Sequence, residues 1–221
     1  MQVIILTKSA KDNGYCVAGI NTESCKFVRL VSWNGRTDAL FSKHIKYANE
    51  QEVQVLDVVN VPIERAVSTK RQPENVLIKE GIAWDKTGQK TIEEVLELCC
   101  NNDREFEPFI LGNTNYYLSE KDAAPDCSLV LVKVKNLKIY LNDRDKVKAD
   151  FDYKGIPYQK FSVTDPHYFS EQNRGTISSA YCVISLPDKP FIAEFTEGKR
   201  YYKFIATIFP TFASTLLKAE Q

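Results

Sequence analysis

Two histidines, one methionine and no net charge distinguish this 221-residue chain, in which 29 basic side chains are balanced by 29 acidic ones. With so little histidine, few of the usual acid–base pairs or imidazole metal centres can be assembled. The charge balance removes the simplest argument for an anionic partner. Six cysteines, at positions 16, 25, 99, 100, 127 and 182, include no pair with C-x-x-C spacing. That excludes the common zinc patterns, and a chain of this length needs no disulfide staples, so reduced and mostly buried thiols are expected. No apolar run approaches the roughly 20 residues of a membrane span. The opening "MQVIILTK" is apolar for only about five residues and has no basic leader, so it reads as a strand and not a signal peptide. The expectation is a cytoplasmic protein with no membrane partner.

What is present is ordinary globular material, 43% hydrophobic and 26% charged, too apolar for disorder and sufficient for a core. Charge is unevenly spread: residues 1–80 carry +2, 81–126 carry −6 and 127–210 carry +4. Two mildly basic segments therefore flank an acidic one.

β-Branched and aromatic runs separated by turn residues dominate both ends. At the start they fall at 2–7, 15–20, 26–31 and 53–61, with turns at Asp12-Asn13-Gly14 and Asn34-Gly35. Towards the end they fall at 128–135, 137–141, 146–153, 156–163, 180–186 and 201–209, with Lys154-Gly155 as a hairpin turn. Between them "TIEEVLELCCN" opens with Thr91 and Glu94, a reciprocal capping pair, and repeats apolar residues at helical spacing. The expected fold is mainly β with minor α: an N-terminal OB-like barrel over 1–80, a helical and irregular acidic connector over 81–126, a C-terminal OB-like barrel over 127–210 and a tail over 211–221. Closure into barrels is favoured because it removes exposed sheet edges.

Several short motifs carry a family resemblance. They are Cys16 to Gly19, Arg29-Leu30, Leu56-Asp57-Val58-Val59 and Gln72-Pro73-Glu74-Asn75, then Phe151-x-Tyr153, Val163-Thr164-Asp165-Pro166, Ser185-Leu186 and Tyr202-Lys203. In these the chain resembles the dual OB-containing domain proteins, an uncharacterised bacterial family. Pro187 stands where such proteins tend to have glycine. The resemblance implies two OB-like barrels and, by analogy, nucleic-acid binding.

Asp165-Pro166-His167 is the stretch most like an active site. Asp before Pro is also a strong N-cap, and Asp165 is too close along the chain to orient His167 easily, so a cap is expected and no catalytic residue is assigned. "RQPENVLI" (71–78) reads as a structural turn after the first barrel. Pro187-Asp188 with Glu197-Gly198-Lys199 has the residue types of a metal-dependent nuclease. Gly198 falls in an expected hairpin amid β structure, so no metal site or cofactor is assigned. Basic and aromatic residues interleave on strands, which suits bases stacking on rings and phosphates meeting cations. The candidate contacts for single-stranded DNA, RNA or a nucleotide are Arg29, Trp33, Lys70, Arg71, Lys133, Lys135, Lys199, Arg200, Tyr201 and Lys203. A non-enzymatic binding module is the expected function. The alternatives are a protein-interaction subunit docking onto a partner enzyme and, behind it, the nuclease.

Overall fold

The computed structural model describes residues 1–33, 37–98, 108–192 and 198–211. The turn expected at Asn34-Gly35, Cys99, Cys100, Glu197 and the tail beyond Thr211 lie outside them. The chain divides into two compact units, Met1–Thr69 with Pro73–Glu105, and Lys70–Gln72 with Phe106–Gln221. The stretch 81–126, expected as a connector, is therefore shared between them. Both units are built of strands, so the mainly β expectation holds.

The first unit contains β1 (Gln2–Lys11), β2 (Gly14–Asn21), β3 (Phe27–Val31), β4 (Asp57–Asn60), β5 (Ile63–Ala66), β6 (Asn75–Ile78), β7 (Asp85–Gln89) and one helix, α1 (Ile92–Leu98). Asp12 and Asn13 take positive φ (48° and 62°), the geometry that turns β1 into β2 with matching twist. A Cβ at Gly19 would meet the Ile4 carbonyl oxygen at 2.0 Å, so only glycine lets β2 approach β1 this closely. Sheet order is β5-β6-β3-β2-β1-β4-β7, with β3 and β6 parallel. Residues 75–78, expected within a turn, instead form β6, because parallel pairing to Arg29–Val31 overrides the local turn chemistry.

β4 and β5 sit towards opposite ends of that order, yet only Val61 and Pro62 separate them. The sheet therefore curls enough to bring the start of β5 beside the end of β4, with no ladder closing it among the described residues. Val61 exchanges backbone bonds with Met1 (2.8 and 3.0 Å), while the Pro62 carbonyl accepts from Lys79 N at 2.8 Å. Partner exchange from β1 to β6 thus occurs at a residue with no N–H to satisfy. Val3, Ile5, Val17, Leu30, Val59 and Trp84 fill the interior. On α1 the capping pair forms as expected: Thr91 N donates to Glu94 Oε2 (2.8 Å) and Glu94 N to Thr91 Oγ1 (3.2 Å).

The second unit contains β8 (Tyr117–Ser119), β9 (Leu129–Leu141), β10 (Val147–Tyr153), β11 (Ile156–Val163), β12 (Gly175–Ser185), β13 (Arg200–Tyr202) and β14 (Phe204–Pro210). Five of these close into a barrel, β10-β11-β14-β12-β9, in which β11 and β14 are parallel. This is the five-strand closed order of an OB barrel. β8 and β13 form a separate two-stranded ribbon. The two sequence runs at 128–135 and 137–141 are one strand, β9. Asn136, at φ 52°, shifts the alternation by one, so Val132 and Val134 point inward before it and Leu137 and Ile139 after it. Phe151 and Tyr158 stack at 5.4 Å with Phe161 edge-on to both, at the heart of the core.

Candidate nucleic-acid interface

Polar residues of the family-like motifs form a buried framework. Arg29, 2% exposed, donates from Nη1 to Cys16 Sγ (2.8 Å) and pairs with Glu74 at 3.6 Å. Asp57 is fully buried: its Oδ2 accepts from Tyr47 Oη (2.6 Å) and Gln54 N (2.9 Å), and Lys86 pairs with Oδ1. Burial, reinforced by the Asp57 carboxylate, keeps Tyr47 protonated far above the ordinary phenol range. Gln72 Nε2 donates to the Leu186 carbonyl at 2.9 Å. Lys203 is completely buried, its ammonium donating to the carbonyls of Ile110 (2.6 Å) and Asn113 (2.7 Å) and to Asn113 Oδ1 (2.8 Å). Asp165 caps a 310 turn at Pro166–Phe169 as expected, accepting from His167 N. The His167 side chain itself is exposed and packs edge-on to Tyr168.

Arg29, Lys203 and Tyr201 (8% exposed), proposed from sequence as ligand contacts, thus point inward. Sequence alternation located their strands, but the face of each side chain is decided by partners far along the chain.

The remaining candidates fall into two surface groups and two outliers. On the outer face of β9 and β12, Lys133 and Lys135 are exposed, and Lys138 joins them beyond the bulge. Lys133 lies opposite Tyr181, with Nζ 5.5 Å from the ring centre, and Lys135 and Lys138 lie opposite Ser179 and Thr176. On the neighbouring β10, Asp150 lies opposite Lys138 and Asp152 opposite Lys135. Their hydrogen bonds come from neutral donors: Asp150 accepts from Tyr140 Oη (3.0 Å) and Lys160 N (2.8 Å), and Asp152 from Asn136 Nδ2 (2.7 Å). Burial and the Asp150 bond push Tyr140 up to about 12. Lys148, between Tyr140 and Ser162, donates to Ser162 Oγ at 2.7 Å; desolvation lowers its pKa.

The second group sits on the β8–β13 ribbon, where Arg200, Tyr201 and Tyr202 face Ser119, Leu118 and Tyr117. Period-two alternation puts Tyr201 with Leu118 on the buried side and Arg200, Tyr202 and Tyr117 on the other. Arg71 stacks on Tyr201 with Cζ 3.7 Å from the ring centre, and Arg200 on Tyr117 at 4.5 Å. Lys199 is exposed and pairs with Glu120 at 2.8 Å. Tyr116, Tyr117 and Phe191 complete the patch. Sequence reading missed them as site residues because their pairing joins segments some eighty positions apart.

Trp33 is 81% exposed and Lys70 is exposed; neither joins a group. A depression of about 300 Å³ borders Tyr47, Trp84 and Lys86, but those two rings are only 8% and 2% exposed and offer no stacking face. Among the described residues no three His, Cys, Asp or Glu side chains are grouped to hold a metal ion, and no helix is long and apolar enough to cross a membrane.

No curated protein and no solved structure shows significant similarity to the chain. The family model for the dual OB-containing domain matches residues 1–208, spanning both units whose strand order has just been described. The chain belongs to the dual OB-containing domain family.

Proposed function

We propose that the second unit binds single-stranded nucleic acid or a nucleotide on the outer face of β9 and β12. A dual OB protein is in general terms a binding module, and the distribution of ion pairs supports this finer reading. In the first unit Lys8, Lys11, Lys46, Lys86 and Lys90 each lie within ion-pair distance of a carboxylate, from Glu52, Asp38, Glu50, Asp57 and Glu94 respectively, and the exposed lysines without such a partner, Lys26, Lys43 and Lys79, are scattered over separate segments. Lys133, Lys135 and Lys138 have no such partner among the described residues, although all three are exposed on one strand. Exposed cations in a row on one strand, none held in a contact ion pair and one beside the Tyr181 ring, suit a phosphate backbone with stacked bases. This row is the observation that carries the reading.

Fluorescence anisotropy of labelled oligonucleotides at two salt concentrations tests it. Micromolar or tighter binding that weakens with salt is the expected result, with the triple variant K133A/K135A/K138A binding more weakly. Absence of binding at low salt overturns it.

A further inference from the structure

The β8–β13 ribbon lies outside the five-strand barrel and carries a row of rings that barrel closure does not explain. Phe191 joins the ribbon through both of its backbone groups: its N donates to the Arg200 carbonyl (2.7 Å) and its carbonyl accepts from Arg200 N (3.1 Å). Its backbone is therefore held in place while 57% of the residue faces solvent, and Ile192 beside it is 69% exposed. The Tyr202 ring lies 5.8 Å from Phe191 on one side and 6.0 Å from Tyr116 on the other, where the planes are 11° apart. Tyr117 closes the row edge-on to Tyr202 at 6.2 Å, with the Arg200 guanidinium over its face. On the opposite, buried side of the ribbon the Arg71 guanidinium stacks on Tyr201, and exposed Lys199 beside it is paired with Glu120 at 2.8 Å. Nearby Asp122 is taken up by the Ser119 amide and hydroxyl (2.6 and 2.8 Å).

We infer that this ribbon is a stacking platform for consecutive bases of a nucleic-acid single strand, with Phe191 as its solvent-facing ring and Arg200 as its phosphate contact. The inference rests on the nucleic-acid reading of the second unit and sharpens it: the ligand is a strand and not a mononucleotide. One nucleotide covers one ring. A row of rings interleaved with cations matches bases that follow one another along a charged backbone. The occupant is argued from charge complementarity at Arg200, which has no carboxylate partner among the described residues and which a purely apolar partner would leave without a counterpart.

The test compares wild type with F191A and F191Y for binding to oligo-dT, oligo-rU and an abasic deoxyribose-phosphate strand, each about 12 nucleotides long and so within the range of one OB fold. Loss of one stacked base weakens oligo-dT or oligo-rU binding by about 5- to 150-fold in F191A, with F191Y close to wild type. Abasic-strand binding stays the same in all three proteins, because it depends on phosphates alone. Circular dichroism melts confirm that F191A is folded. If F191A binds oligo-dT and oligo-rU like wild type, or if the abasic strand binds wild type as tightly as they do, the platform is wrong while the nucleic-acid reading stands. If wild type binds neither base-bearing strand at low salt, both fail. Tighter binding of oligo-dT than oligo-rU identifies DNA as the strand, and the reverse identifies RNA.

Discussion

Asp165 and Ile208 are joined across the second barrel: the Asp165 Oδ2 accepts from the buried Ile208 amide at 3.1 Å, while Oδ1 accepts from His167 N at 3.1 Å. One carboxylate thus caps the turn that leaves β11 and holds that turn against β14.

Removing the carboxylate leaves a buried amide without its acceptor. D165A should destabilise the protein by about 2–3 kcal/mol, most of it from the stranded Ile208 N–H and the rest from the lost cap. Urea unfolding checks this, and a loss below about 0.5 kcal/mol would contradict it. Burial raises the Asp165 pKa above 3.8, against the pull of its two amide bonds. A carboxyl with a raised folded pKa holds its proton more tightly folded than unfolded. Its contribution to stability is therefore greatest at low pH and falls as pH rises from 3.8 through the raised value. The stability difference between wild type and D165N should shrink with rising pH over that interval.

Lys203 is the cation most dependent on its surroundings. K203M removes an ammonium from three oxygen acceptors of Ile110 and Asn113. A loss of about 3 kcal/mol is expected, with faster amide exchange over residues 108–120, since charged hydrogen bonds are worth more than neutral ones. Unchanged exchange in that segment would mean that other contacts hold it.

The Asp57 cluster predicts an order of effects. Y47F removes one donor and should cost about 1.5–3 kcal/mol. K86M removes the counter-ion of a fully buried carboxylate and should cost more, roughly 3–5 kcal/mol. Urea midpoints of the two variants decide it, and the reverse order would show that solvent reaches Asp57.

Salt dependence separates the two units. For single-stranded binding each lost phosphate contact lowers the slope of log K against log salt by about 0.7. K133A and K135A should each remove about that much, whereas K8A and K11A, whose amines are already paired with Glu52 and Asp38, should leave the slope unchanged. Equal effects in both units would count against a second-unit interface.

Features set by neighbouring residues were legible in the sequence. The Thr91–Glu94 capping pair, the Asp165 cap and the Lys154-Gly155 hairpin, with φ of 51° and 79°, each depend on a few consecutive positions. The longer strands of both units could be located because alternation is local too, whereas the short β5, β7 and β8 were not. Burial of Arg29 and Lys203 could not be read, since a charged side chain goes inward only when distant partners wait there: Glu74 for one, Ile110 and Asn113 for the other. β6 was hidden for the same reason, as its partner β3 lies some 45 residues earlier.

The motifs that reveal the family consequently mark scaffold and not surface. Cys16, Arg29, Asp57, Gln72, Glu74, Asp165 and Lys203 spend polar atoms on one another, on backbone or on side chains such as Tyr47, Lys86 and Asn113. The proposed ligand contacts Lys133, Tyr181, Phe191 and Arg200 are exposed or half-exposed, and those motifs do not contain them.

The passage through Val61 and Pro62 gives the first unit a seam made of covalent bonds where its neighbour has hydrogen-bonded rungs. The far margins of β5 and β7 carry no ladder partner among the described residues, and such margins are where a strand of another polypeptide could add itself.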